Sequence, residues 1–236
     1  MVVLGVDSAT ADAVVGVMNG AEVIREVRVG PGEDGRPRHS QVLLGEIETC
    51  VDDAGGWERI DRIAVGVGPG SFTGLRIGIA TARGLAQARR IPVAAVSTLS
   101  SLARGITSSQ EGRGRLALPV IDARRGEAFA ALLDDRGTEL WSPFVAPPED
   151  LADRLGELDR PPLAAGDGAL GFAAQLEAAG ATVAPPEDPI HRVAARHVCS
   201  VGAAADEASP DQIQPLYLRP PDAKKWLERD RGIPGG

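Results

Sequence analysis

An apolar run over residues 63–67 leads straight into Gly66-Val67-Gly68-Pro69-Gly70-Ser71-Phe72-Thr73-Gly74-Leu75-Arg76-Ile77-Gly78, and from about Thr73 the pattern becomes helical. The run predicts a buried strand, and its continuation predicts a helix. So much glycine and proline at one strand-to-helix junction means that something approaches this backbone closely. Pro69-Gly70 suits the central positions of a type II turn. Ser71 or Thr73 can cap the helix by accepting a bond from an orphan N–H. Such a turn could hold an anion, but the known phosphate loops do not fit. Gly74-Leu75-Arg76 stands where a Walker loop needs Gly-Lys-Ser/Thr, and the spacing is G-x-G-x-G rather than G-x-G-x-x-G.

Within the helix, Gly74, Gly78 and Ala82 recur at every fourth position and form a stripe without bulky side chains. Such a stripe lets two backbones come close, and each helical glycine costs on the order of 1 kcal/mol relative to alanine. Two readings follow: docking on another subunit, or packing inside the chain itself. The stripe alone favours the second.

The chain has 236 residues and 43% hydrophobic content, enough for a real core in one or two domains. A formal net charge of −8 argues against a general nucleic-acid binder, although not against a component of an RNA-acting assembly. Arginine dominates lysine, which occurs only at Lys224 and Lys225. Cys50 and Cys199 make neither a disulfide framework nor a zinc site, so the expectation is a reducing cytoplasm. No run is long enough to cross a membrane, and no basic segment precedes the first apolar run.

The pattern over 1–106 reads strand, Asp7-Ser8-Ala9-Thr10, two strands joined at Asn19-Gly20, then helix, strand, helix, strand, helix. Asn-Gly between β-like runs signals a hairpin. The helix expected after Ser40, its anticipated cap, carries Leu43, Leu44, Ile47, Val51 and Ala54 at helical spacing. After a polar loop over 107–115 the pattern restarts. A strand ends at Asp122, two strands follow, and then comes helix–strand–helix around Gly166-Asp167-Gly168. A final helix is expected over 192–205. The tail Pro215-Leu216-Tyr217-Leu218-Arg219-Pro220-Pro221 is held extended by its prolines. Lys224-Lys225-Trp226 and a Gly/Pro end, expected to be mobile, follow. The expectation is an α/β chain of two similar halves, 1–106 and 107–236, the second smaller.

Two ribonuclease-H-like halves with mixed sheets, each opening on a strand that ends in Asp, resemble the superfamily of actin, Hsp70 and the acetate and sugar kinases. Within it the chain is similar to the TsaB (YeaZ) family. The motifs that carry this span nearly the whole chain: Asp7-Ser8-Ala9-Thr10, the segment from Gly68 to Gly78, Asp122-Ala123-Arg124-Arg125-Gly126-Glu127 and Pro215-Leu216-Tyr217-Leu218-Arg219. The resemblance implies a non-catalytic subunit in tRNA N6-threonylcarbamoyladenosine formation. Its implied partners are a TsaD-type paralogue, which performs the transfer, and a TsaE-type ATPase. The tRNA would be met only indirectly, within the complex. In the family the first two helices make the heterodimer contact. This implies Leu43, Ile47, Val51, Thr73, Gly74, Ile77, Gly78, Thr81, Ala82 and Leu85 as partner-binding residues, and so reverses the preference drawn from the stripe. The same face could also pair with its own copy.

The alternative within this superfamily is a small-molecule ATPase or phosphotransferase, with Asp7, Ser8, Thr10, Asp122, Gly166 and Gly168 lining a vestigial nucleotide cleft. Neither Asp7-Ser8-Ala9-Thr10 nor the residues after Asp122 supply the glycine turn such kinases use. The simpler reading of Asp7 is a carboxylate that accepts bonds from nearby N–H and hydroxyl groups. His39, His191 and His197 lack the H-x-x-x-H spacing of the TsaD branch, so no metal site or other cofactor is expected. No nucleophile–base pair is evident either. Arg76, Arg83, Arg124 and Arg125 could pair with acidic residues or face phosphate, and a solvated arginine surface is the commoner outcome in an arginine-rich chain. Trp57, Trp141 and Trp226 are too scattered for a base-stacking platform.

Overall fold

Val2, Leu4 and Val6 point to one side of the first strand and Val3 to the other, and both sides are buried. A strand covered on both faces needs a layer above and a layer below. In the computed structural model, which describes residues 1–219, that requirement is met twice. Strands β1 (Val2–Asp7), β2 (Ala13–Asn19), β3 (Glu22–Val29), β4 (Arg62–Gly68) and β5 (Val93–Ser97) form one sheet in the order β3-β2-β1-β4-β5. Strands β6 (Ala117–Asp122), β7 (Ala128–Leu133), β8 (Glu139–Ala146), β9 (Leu163–Ala165) and β10 (Thr182–Val183) form the second, in the equivalent order β8-β7-β6-β9-β10. In each sheet the first three strands are antiparallel neighbours and the last two join in parallel. The expected mixed-sheet duplication is therefore present. The expectations for Pro220-Pro221, Lys224-Lys225-Trp226 and the Gly/Pro end fall outside the described residues.

Helices α1 (His39–Asp53) and α2 (Phe72–Arg89) cover one face of the first sheet, and α3 (Thr98–Ser108) follows β5. In the second half come α4 (Pro148–Leu155), α5 (Asp167–Gly171), α6 (Ala173–Ala178) and α7 (Ala195–Ala204). The single helix expected after Gly166 is thus two short ones. The last helix starts three residues later than expected, after a 3-10 turn at Pro189–His191. The first helix begins at His39 with no side-chain cap, so Ser40 is not its cap. Ser71 does cap α2, accepting from the Gly74 N–H at 3.3 Å. The type II turn expected at Pro69-Gly70 is absent. The Gly68–Pro69 bond is cis, and it is Gly68 that takes a positive φ of 106°.

The helices cross the boundary between the halves. Helix α3, which directly follows the first sheet in the chain, lays Leu99, Leu102, Ala103 and Ile106 on the second sheet, against Ala117, Ile121, Phe129, Ala131 and Leu133. Helix α7, encoded near the end, lays Val198 and Cys199 on the open face of the first sheet, beside Val3, Val14 and Ala64. The approach is close enough to demand small residues. A Cβ on Gly5 would lie 2.6 Å from Cys199 Sγ, and one on Gly202 would collide with Ala64. Arg62, buried at the start of β4, closes the end of α7. Its guanidinium donates to the carbonyls of Gly202, Ala203 and Ala205 at 2.8, 3.2 and 2.9 Å and pairs with Glu207 at 2.6 Å. A cation there satisfies orphan carbonyls and meets the negative end of the helix dipole. The α3 and α7 helices also pack on each other, forming the joint between the halves.

Candidate functional site

A cleft of about 600 Å³ opens where the halves meet, at the carboxyl ends of β1 and β6. The first half contributes Ala9, Thr10, Gly70, Ser71 and Phe72; the second contributes Asp122, Arg124, Phe129 and Asp167. Of the residues assigned to this cleft from sequence, Thr10 and Asp122 line it, and Asp7 and Ser8 do not. Asp7 is 1% exposed, and both its oxygens are engaged: Oδ1 accepts from the Ala9 N–H at 2.7 Å and Oδ2 from the Thr98 hydroxyl at 2.9 Å. Its neighbour Gly66 leaves room for it, since a Cβ there would overlap the carboxylate. Burial pushes the Asp7 pKa up to about 6, against the lowering effect of those two bonds. A carboxylate enclosed in this way is positioned to order the turn that follows β1, as the simpler reading had it.

Gly166 and Gly168 are buried against their own sheet. A Cβ on Gly166 would collide with the Val120 carbonyl, and one on Gly168 would lie 2.7 Å from the Ile121 carbonyl carbon. Their smallness serves the contact of α5 with β6. His191 pins this corner: its Nδ1 accepts from the Gly166 N–H at 3.1 Å, and its Nε2 lies 3.0 Å from the Ala184 and Pro185 carbonyls. Asp167 Oδ1 then accepts from the N–H groups of Asp122 and Gly168, at 3.0 and 2.8 Å, which ties the end of β6 to the start of α5. Arg124 and Arg125 both adopt left-handed backbone, φ 62° and 60°, and Arg124 pairs with Asp122 at 3.2 Å. Among the described residues no group of His, Cys, Asp and Glu could hold a metal ion. His39 is buried at the start of α1, and burial lowers its pKa. His197 is pushed down to about 4, chiefly by burial and then by the charge of Arg196.

The second candidate surface is the outer face of α1 and α2, and the residues assigned to it from sequence divide between the core and the surface. Leu43, Ile47, Val51, Gly74, Gly78 and Ala82 are buried within the chain's own core. The glycine stripe seats the turn after β1: a Cβ on Gly74 would collide with the Ser8 carbonyl and one on Gly78 with the Ser8 hydroxyl. The stripe is thus packed inside the chain itself, against the turn after β1. Thr73 is exposed, and Ile77, Thr81 and Leu85 are half-buried, so these four remain at or near the surface. The face also presents Leu44, which is 52% exposed, with Gly45, Ala80 and Gly84. Glycines 45 and 84 have nothing within 4 Å of a built Cβ, so the outward side of the helix pair has bare positions of its own. The exposed set sits one helical step away from the buried stripe. Spacing shows that two such faces exist, but not which of them meets the sheet.

The family described as "TsaD: tRNA N6-adenosine threonylcarbamoyltransferase" matches residues 31–158, more than half of the chain. The tRNA threonylcarbamoyladenosine biosynthesis protein TsaB of Escherichia coli is 30% identical over 93% of this chain and 95% of its own length. This chain belongs to the TsaB (YeaZ) family. A TsaB protein from Bacillus subtilis is 28% identical over 83% of the chain and 86% of its own length. Among solved structures, YeaZ from Pseudomonas aeruginosa superposes with a TM-score of 0.76 at 29% identity, covering 92% of this chain and 99% of that one. A ROK hexokinase from Thermus thermophilus, at 15% identity and a TM-score of 0.53 over 86% of this chain and 99% of its own, shares the fold. The TsaB-family chain thus has the sugar-kinase architecture with its first strand-end acid sealed off from the cleft. No helix among its described residues is long and apolar enough to cross a membrane.

Proposed function

We propose that this TsaB-family chain is a non-catalytic subunit in the formation of tRNA N6-threonylcarbamoyladenosine, and that it acts by holding a TsaD-type paralogue against the outer face of α1 and α2. The observation that carries the non-catalytic part is the enclosure of Asp7: the strand-end acid is fully bonded to Ala9 and Thr98 and does not line the cleft. The docking part draws support from a helix pair whose outward side offers Leu44, Gly45, Ala80 and Gly84 at low relief. Low relief lets a second helix pair approach closely. A TsaE-type ATPase would join this assembly, in the cytoplasm, and the tRNA would be contacted chiefly by the partner. When the partner is absent, the same face can pair two copies of this chain.

Reconstitution tests the reading. The pure chain should modify no tRNA, should hydrolyse no ATP, and should restore modification when added to the transferase. Ala80→Arg, which places bulk on the exposed side of α2, should abolish co-purification with the partner and leave a folded monomer by light scattering. Retained binding by that variant removes the assigned face, and turnover by the unaided chain removes the non-catalytic role.

A further inference from the structure

The joint between the halves is the packed pair α3 and α7, each lying on the other half's sheet. Helices packed in this way can slide on one another by small amounts, so a joint of this kind leaves the angle between two halves adjustable. Across the cleft a second connection exists, made by residues 215–219. The Leu216 N–H donates to the Val67 carbonyl at the end of β4, at 2.7 Å, and its side chain packs on the core of the first sheet. Two residues on, Leu218 packs on the core of the second sheet. Tyr217, between them, stacks on Phe72 with ring centroids 5.3 Å apart and accepts a bond from Arg76 Nε at 3.3 Å. Arg219 donates to the Ala123 carbonyl at 2.9 Å and pairs with Glu127. A few consecutive residues thus grip both halves, and four of them, 216–219, line the cleft.

We infer that residues 216–219 are a releasable latch that fixes the angle between the two halves, and that Tyr217 and Arg76 tie this angle to the outer face of α1 and α2. Two observations support release rather than permanent fixation. Besides the packing of Leu216, the grip on the first half is one backbone bond, an aromatic stack and a hydroxyl bond, with Phe72 and Tyr217 still 42% and 40% exposed. Segments held by few buried contacts open at free energies well below global unfolding. Phe72 and Arg76 also occupy the first turns of α2, where Arg76 lies 3.9 Å from the Phe72 ring centroid, so anything bound there competes with Tyr217 for the same ring and guanidinium. Occupation of the α2 face and opening of the latch are therefore linked, and the linkage is reciprocal.

Only the identity of the occupant rests on the proposed function; the latch is a property of the chain alone and is tested alone. Spin labels at Glu22→Cys on β3 and Asp153→Cys on α4 report the distance between the halves, since both native cysteines are buried. The parent should give one narrow distribution. Arg219→Ala and Tyr217→Ala should each broaden and shift it, and Arg219→Lys, which keeps a cation beside Glu127, should restore it. Unchanged distributions in both alanine variants overturn the latch. Hydrogen exchange on the unmodified chain guards against variants that fail to fold. The Leu216 amide should exchange well ahead of the Val65 amide in the middle of β4, and exchange of both only on global unfolding also overturns it. A TsaD-type protein added last should shift the parent's distribution towards that of Tyr217→Ala. If that protein does not bind at all, the proposed function fails while the distance and exchange results stand. If it binds on α2 without moving the distribution, the coupling fails.

Discussion

The Ser8 hydroxyl donates to the Gly74 carbonyl at 2.9 Å, and no side chain at position 74 would leave room for the Ser8 backbone. The turn after β1 and the first turn of α2 are thus built as one unit, with the His39 ring against its side, 3.1 Å from where a Cβ on Gly74 would be. This unit fixes where α2 starts.

Gly74→Ala should lower stability by more than the ~1–3 kcal/mol usual for overpacking, because the obstacle is backbone rather than a side chain that can turn away. Gly84→Ala, on the open side of the same helix, should raise it by about 0.5–1 kcal/mol. Urea unfolding of the two variants separates the two faces of α2. Equal effects would mean that the packing against Ser8 is not as described.

Asp7 gives stability a pH dependence of definite sign. Its folded pKa, about 6, lies above the ordinary value of 3.8. Folding is therefore favoured most by this group below pH 3.8, and that contribution is lost as pH rises through 6. The loss is on the order of 3 kcal/mol by linkage. Asp7→Asn keeps an oxygen for the Ala9 N–H and should remove this dependence, giving a higher melting temperature relative to the parent at pH 8 than at pH 4. A relative gain independent of pH would show that Asp7 is not the titrating group.

His197 works in the opposite direction. Held near pKa 4 by burial and by Arg196, it supports the fold fully above 6.5, and that support is lost as pH falls through 4. His197→Gln should flatten the acid limb of a stability–pH curve and leave the neutral region little changed. The pKa itself is measurable from the imidazole proton shifts, and a value near 6.5 would remove the prediction.

Arg62→Met should destabilise the chain by roughly 2–3 kcal/mol, since three carbonyls at the end of α7 lose a charged donor. Arg62→Lys should recover only part of this, because an ammonium lacks the planar fork that reaches several acceptors at once. Thermal unfolding in series gives the order parent, Lys, Met; a Lys variant equal to the parent would argue that charge alone matters.

The architecture was legible where local rules and global packing agree. Val2, Val3, Leu4 and Val6 form a strand buried on both faces, Asn19-Gly20 marks the β2–β3 hairpin, and both halves follow one order of elements. The site was less legible, for a geometric reason. Gly74, Gly78 and Ala82 lie on one side of α2, and Thr73, Ala80 and Gly84 on another, so both sides carry small residues; only the position of Ser8, far away in sequence, decides which is sealed. Leu44 shares the apolar spacing of Leu43 and Ile47, yet it is 52% exposed. The grip of Tyr217 on Phe72 depends on contacts between residues far apart in the chain, and no periodicity encodes such a pair.

The exchange of α3 and α7 between the halves has a consequence for synthesis. When residues 1–106 leave the ribosome, the hydrophobic surface of the first sheet around Val3, Val14 and Ala64 has no cover, and the helix that will supply it is still almost a hundred codons from translation. The nascent amino-terminal half must therefore wait with a sticky flank, as a natural client for a chaperone, and a fragment ending before α7 should be recovered as aggregate.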